Sequence, residues 1–256
     1  MHQKTFFLNP ENLKVSLQNR PNHEAGKATI GNSLRNSLIM KIINLGEKNS
    51  VLNTFVSQMR DKDIQKDPMR FRRNLERVGE IFAYEISGEL EYSRKQVRTP
   101  LGIAEIPTHD DKLVIATILR AGLPLHQGLL NFFDDAQNAF VAAYRKYDKG
   151  DDFHINIEYA SSPDLTGKTL ILADTMLATG ASLEITYNRL REYGEPRHTH
   201  LVCPISSVYA VDYLKGHLPS DSVTLWVAAM DEELTTHSYI VPGLGDAGDL
   251  AYGDKL

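Results

Sequence analysis

The chain has 256 residues, enough for one large α/β domain with a complete core. Its net charge of −5 weighs against a dedicated nucleic-acid binder, and no apolar run approaches the roughly 20 residues needed to cross a bilayer. The single cysteine, Cys203, excludes an intrachain disulfide, no zinc-ligand spacing occurs, and a reducing, cytoplasmic address is the expectation.

Residues 1–39 are rich in Asn, Ser, Lys and His, with scattered apolar residues. Phe6-Phe7-Leu8 is too short for a signal-peptide core. The stretch reads as a disordered extension or as the result of a start placed too early; a basic targeting leader fits less well. Residues 40–256 read as a single domain. Asp67-Pro68 opens a helix, with Asp as N-cap and Pro at the first helical position. Phe71, Leu75, Val78, Phe82 and Ile86 recur on one face, and Gly88 follows as a stop. Arg70, Arg72, Arg73 and Arg77 on this helix could form a phosphate patch, but a solvated face paired with Glu76 and Glu80 explains them more simply.

A short extended stretch is expected over Val97–Ile106, a strand over Leu113–Leu119, a helix near Pro124–Phe133 and a buried strand over Asn138–Tyr144. Residues 146–168 are polar with interspersed β-formers and suit a projecting hairpin. A strand at 169–173, a helix at 182–193 ended by Gly194, a strand at 199–205, a helix at 206–217 and a strand at 222–229 complete the pattern. Cys203, inside the apolar run Thr199–Ile205, reads as a core residue. Alternation of this kind implies a parallel sheet covered by helices on both faces, with ligands beyond the carboxyl ends of the strands. Arg120, Arg145, Asp174 and Asp231 are expected at four equivalent strand ends, a convergence that core packing does not require.

The run Thr169–Leu183, TLILADTMLATGASL, carries the most chemistry. A buried strand leads to Asp174, then to the small-residue loop Ala178, Thr179, Gly180, Ala181, Ser182, and then to a helix. The start of a helix presents unpaired N–H groups and a positive dipole end, a ready phosphate site. Gly180 lets the backbone approach an anion, and the Thr179 and Ser182 hydroxyls add hydrogen bonds. Asp174 suits sugar hydroxyls or a hydrated Mg²⁺. Neither the Walker-A pattern nor a Gly-x-Gly-x-x-Gly fingerprint occurs here, and an ordinary strand–turn–helix corner with a Ser N-cap is the plain alternative.

The run resembles the phosphoribosyl pyrophosphate (PRPP) signature of type I phosphoribosyltransferases. Together with TILRAGLPLHQG at Thr117–Gly128 and YIVPGLGDAGD at Tyr239–Asp249, it resembles the uracil phosphoribosyltransferase family from about Met40 to Leu256. Met40-Lys-Ile-Ile-Asn-Leu-Gly is similar to the usual start of that family. The resemblance implies the type I phosphoribosyltransferase fold, with a projecting β-hairpin and a small C-terminal base-binding segment. It implies Arg120 and Arg145 on the pyrophosphate side of PRPP, and Asp174, Thr175, Met176, Leu177, Ala178, Thr179, Gly180, Ala181 and Ser182 on ribose and 5′-phosphate. It implies Ile240 and Gly245–Ala247 as the uracil pocket, with Asp246 near the ribose and the hydrated metal. Asp174, Arg120, Arg145 and Asp246 are therefore the candidate catalytic residues, with Mg²⁺ carried on PRPP through water rather than bound directly.

Two positions depart from the family pattern: Thr175 stands where Pro is usual and Ala181 where a second Gly is usual. Ala181 requires φ < 0 or a strained loop. The expected reaction is PRPP + uracil → UMP + pyrophosphate, in pyrimidine salvage, by a homodimer or larger homo-oligomer, with GTP open as an activator. The alternatives are an enzyme for another 6-oxo base, disfavoured because Tyr239–Asp249 holds no lysine, and a non-enzymatic PRPP-sensing or RNA-binding regulator, disfavoured by the acidic balance. No general base is evident; His126 and His237 read as structural.

Overall fold

The computed structural model describes residues 40–147 and 153–254, with side chains between 144 and 156 left aside. The expectations for residues 1–39 lie outside the described residues. The elements run β1 (Lys41–Asn44), a 3-10 turn, α1 (Val51–Arg60), α2 (Pro68–Ser87), β2 (Tyr92–Thr99), β3 (Gly102–His109), β4 (Leu113–Leu119), α3 (Leu123–Leu130), β5 (Gln137–Tyr147) and β6 (Phe153–Ser161). They continue through β7 (Thr169–Ala173), β8 (Met176–Leu177), α4 (Ala181–Arg191), β9 (His198–Ser207), α5 (Val208–His217), β10 (Val223–Asp231), β11 (Glu233–Leu234), β12 (Ile240–Val241) and α6 (Ala247–Tyr252).

The main sheet has the order β1-β10-β9-β7-β4-β5-β6, with β8 added beside β9. All its pairings are parallel except β5–β6. β7 is buried throughout and β4 and β9 nearly so, as strands covered on both faces must be. One face packs Leu52, Val56 and Met59 of α1, the expected Phe71, Leu75, Val78, Phe82 and Ile86 of α2, and Leu125 and Leu129 of α3. The other packs Leu183, Tyr187 and Leu190 of α4 and Ala210, Val211 and Leu214 of α5, with Cys203 among them. Asp67 caps α2 as its sequence indicates, accepting the N–H groups of Met69 and Arg70. No helix among the described residues is long and apolar enough to cross a membrane.

Two features differ from expectation. The projecting hairpin begins earlier, because β5 does not stop at Tyr144 but continues to Tyr147 and pairs antiparallel with β6. The stretch near Val97–Ile106 is in fact a second hairpin, β2–β3, that pairs only with itself and exposes all of β2. Its apolar residues, Val97, Leu101, Ile103 and Ile106 among them, are exposed, so no core-facing alternation marks its limits. Its root is fixed by Asp111, whose side chain is 1% exposed. Asp111 accepts the Glu91 N–H and the Thr169 hydroxyl and pairs with Arg197, which also reaches Glu91 at 2.5 Å.

Candidate active site

The corner after β7 is built by an interruption. Ala173 pairs with Val202 of β9, and two irregular residues later Met176 and Leu177 resume the same line beside Ile205 and Ser206. Asp174 and Thr175 occupy the break. Burial pushes the Asp174 carboxyl up to about 6, although the N–H groups of Thr175 and Met176 oppose that rise by stabilising its charged form. The Thr175 N–H donates to Asp174 Oδ1 at 2.7 Å, and Thr175 itself is buried.

The loop closes on α5. Ser207 caps α5 by accepting the Ala210 N–H, and its hydroxyl donates to the Ala178 carbonyl at 2.6 Å. Gly180 then turns at φ +88°. An added Cβ there would lie 2.7 Å from the Tyr213 ring, so both conformation and space require glycine. Gly180, not Ser182, is the N-cap of α4, and it makes no side-chain cap bond. The first amides of α4 thus lack the usual side-chain acceptor, as an anion-binding helix start needs. Ala181 is the first residue of α4 and has no positive φ, so its methyl group is accommodated without strain.

Arg120 follows β4, in the neighbouring strand. Gly122 makes that turn close: an added Cβ would stand 2.1 Å from Thr117 Oγ1 and 2.6 Å from the Ile118 carbonyl oxygen. The Arg120 guanidinium donates to the Gly253 carbonyl at 3.1 Å and lies 3.5 Å from Asp249. It therefore meets the C-terminal segment across 133 residues of sequence.

That segment is packed, not a loose glycine-rich tail. Ile240, Leu244, Ala247 and Ala251 are buried in the core under α1 and α2. Asp246 caps α6, one oxygen accepting the Gly248 and Asp249 N–H groups. Arg72 donates to the Ala251 carbonyl at 2.6 Å and lies over the Tyr252 ring. The arginine cluster of α2 thus divides: Arg73 pairs with Glu76 as a solvated face would, whereas Arg72 holds α6.

The four strand-end residues are not equivalent. Ala173, Thr117, Phe140, Val202 and Trp226 share one level of the sheet. Measured from it, Asp174 is one residue outward, Arg120 three, and Arg145 and Asp231 five, so the rim is stepped over about 13 Å at about 3.3 Å per residue. Arg145 lies within β5, in register with Ile155 of the hairpin, rather than at a strand end; its side chain is outside the described part. Asp231 ends β10, and its carboxylate is taken by Arg60 and the Gly243 N–H. Sequence reading missed Arg60 and the role of Arg72, since nothing local marks their partners, Asp231 and the Ala251 carbonyl. His126 is buried against Asn138 at 2.7 Å, with burial lowering its pKa, and His237 lies in the exposed β11–β12 connection beside Thr236.

A parallel sheet with an acid, a small-residue loop and an uncapped helix start after one strand, and an arginine after its neighbour, defines a type I phosphoribosyltransferase. Residues 47–254 match the profile of the uracil phosphoribosyltransferase family, and the chain belongs to that family. A uracil phosphoribosyltransferase from Porphyromonas gingivalis is 57% identical over 217 residues, spanning 85% of this chain and 100% of its own length. One from Pyrococcus furiosus is 35% identical over 213 residues, spanning 82% and 89%. The solved AQ2163 protein of Aquifex aeolicus superposes with a TM-score of 0.74 at 27% identity, over 83% of this chain and 98% of its own.

The raised pKa of Asp174 makes a stability prediction. Above pH 6 the folded protein holds a carboxylate that burial disfavours, whereas the unfolded chain ionises it at its ordinary 3.8. Stability is therefore lost as pH rises from about 4 to about 6, and the loss is complete above that window. Asp174→Asn should gain about 3 kcal/mol at pH 8 and well under about 1 kcal/mol at pH 4. Urea unfolding at both pH values measures this, and an equal gain at the two would contradict it.

Proposed function

We infer that this protein transfers the 5-phosphoribosyl group of PRPP to uracil, giving UMP and pyrophosphate. The observation that carries the reading is the meeting of Arg120 with the C-terminal segment, because it joins the expected pyrophosphate and base sites at the same sheet end as the Asp174 corner. In the transfer, the bond between C1 and the pyrophosphate oxygen breaks and a bond from C1 to uracil N1 forms, with loss of the N1 proton. Positive charge develops on the ribose and negative charge on the leaving group. Arg120 is suited to the latter, since a guanidinium grips phosphate oxygens bidentately and counts most where charge is greatest. To do so it exchanges the Gly253 carbonyl and Asp249 for phosphate oxygens.

The small residues and amides from Ala178 to Ser182 suit the 5′-phosphate, and Asp174 suits the ribose hydroxyls. Among the described residues no group of three or more His, Cys, Asp and Glu side chains is set to hold a metal. A partly buried carboxylate with a raised pKa, Asp174, suits a hydrated Mg²⁺ arriving on PRPP, and the family resemblance adds Asp246; that ion, when bound, would offset charge on the pyrophosphate. Arg145 is carried as a second pyrophosphate contact on the family resemblance. The base pocket assigned to Ile240 and Gly245–Ala247 would read uracil through main-chain groups.

The reading includes a homo-oligomer, supported by the exposed apolar β2–β3 hairpin, since an isolated two-stranded hairpin is marginal in water. Activation by GTP belongs to the same family expectation. A cytoplasmic setting is supported by the one cysteine, which is free and buried.

Purified protein with PRPP and Mg²⁺ should consume uracil and leave cytosine, hypoxanthine and orotate untouched by a factor of up to about 10⁴. Faster turnover of any of the other three bases would overturn the assignment. Arg120→Ala should lower kcat/KM for PRPP by roughly 10²–10³, weakening PRPP and pyrophosphate far more than UMP; equal weakening of all three would remove Arg120 from the pyrophosphate.

A further inference from the structure

Asp231 has no part in the chemistry above, yet both its oxygens are engaged. Its side chain is 8% exposed and that of Arg60, the last residue of α1, is 21% exposed. The two guanidinium nitrogens of Arg60 reach the two carboxylate oxygens at 3.0 Å each, a bidentate pair. Asp231 Oδ2 also accepts the Gly243 N–H at 3.0 Å. Gly243 turns at φ +52°, where an added Cβ would lie 2.2 Å from the Ile240 carbonyl oxygen. Next in the chain come Leu244 and then Gly245–Ala247. With its amide turned to satisfy both neighbours, Gln65 donates to the Leu244 carbonyl at 2.9 Å and to the Met59 carbonyl at 2.8 Å.

The end of α1 and the loop after it thus grip both sides of the turn that leads into the base segment. A pocket made of peptide groups has no rotamers with which to adjust, so its fit depends on where the chain is held. Glycine supplies no stiffness of its own. A displacement of about 1 Å in such a site costs about 10²-fold. We propose that Arg60 and Asp231 are positioning residues for uracil: they fix the Gly243–Ala247 peptides at the spacing the base edge needs, and so set base affinity independently of phosphoribosyl binding. This rests on the uracil reading of Ile240 and Gly245–Ala247.

Steady-state kinetics of the full chain separates the possibilities. Asp231→Asn keeps the shape and removes the charge that engages Arg60; KM for uracil should rise at least about 10-fold with KM for PRPP within about twofold. Arg60→Lys, a milder change that keeps the charge and loses the fork, should raise KM for uracil several-fold in the same selective way. Hydrogen exchange at the Gly243 amide should quicken in both variants. Equal rises in the two KM values, or lower thermal stability with an unchanged KM for uracil, would reduce the pair to a structural tie and overturn the proposal. If Asp231→Asn does not fold, Arg60→Lys decides alone by the same split. Wild-type protein that fails to turn over uracil overturns the functional reading and this proposal with it, whereas normal wild-type turnover with no selective effect overturns the proposal alone.

Discussion

The carboxylate of Asp174 is held where β7 breaks and the chain resumes beside β9, in surroundings that burial makes unfavourable to its charge. Two neighbouring amides offset part of that cost, and the result is an acid poised near pH 6. Such a group gains most from a partner that brings positive charge or sugar hydroxyls. The break that places it also starts the run of small residues leading to Gly180 and α4. The carboxylate and the loop proposed to take the phosphate are therefore one local structure, fixed on β9 by the Ser207 hydroxyl and backed by the Tyr213 ring.

The rest of the site is reached by register and by return of the chain. Strand register sets Arg120 two residues further out than Asp174, and sets Arg145 and Asp231 further still. Depth along the rim suits an extended ligand; on the proposed function, the ribose would lie innermost. The C-terminal segment comes back against α1 and α2 and is tied there by buried apolar residues and by Arg60, Gln65 and Arg72. Helices on one face of the sheet thereby hold the segment proposed to read the base, although none of their side chains is assigned to the substrates.

Much of this was legible in the amino-acid order because it is local. The Asp67 cap, the apolar face of α2 and the strand–acid–loop–helix run each declare themselves within a dozen residues. For Ala181, where the family usually has glycine, the amino-acid order leaves either φ < 0 or a strained loop; as the first residue of α4 it takes the former. What was not legible depends on distant partners. Asp231 read as a ligand-facing strand end, since its chemistry fits that position, but Arg60 and the Gly243 amide occupy it. Arg145 read as a strand terminus because polar residues follow it; pairing with β6 extends the strand past it. The β2–β3 hairpin hid for a related reason: its apolar residues face outward, so the usual alternation against a core is missing.

The claim on which the account turns is that the corner from Asp174 to Ser182 takes up the phosphorylated ribose. Calorimetric titration of the purified chain with PRPP in the presence of Mg²⁺ tests it most directly. The account predicts saturable uptake below millimolar concentration, with Gly180→Ala weakening it because the added methyl group strikes the Tyr213 ring. No uptake at millimolar PRPP, or uptake indifferent to that methyl group, would contradict it.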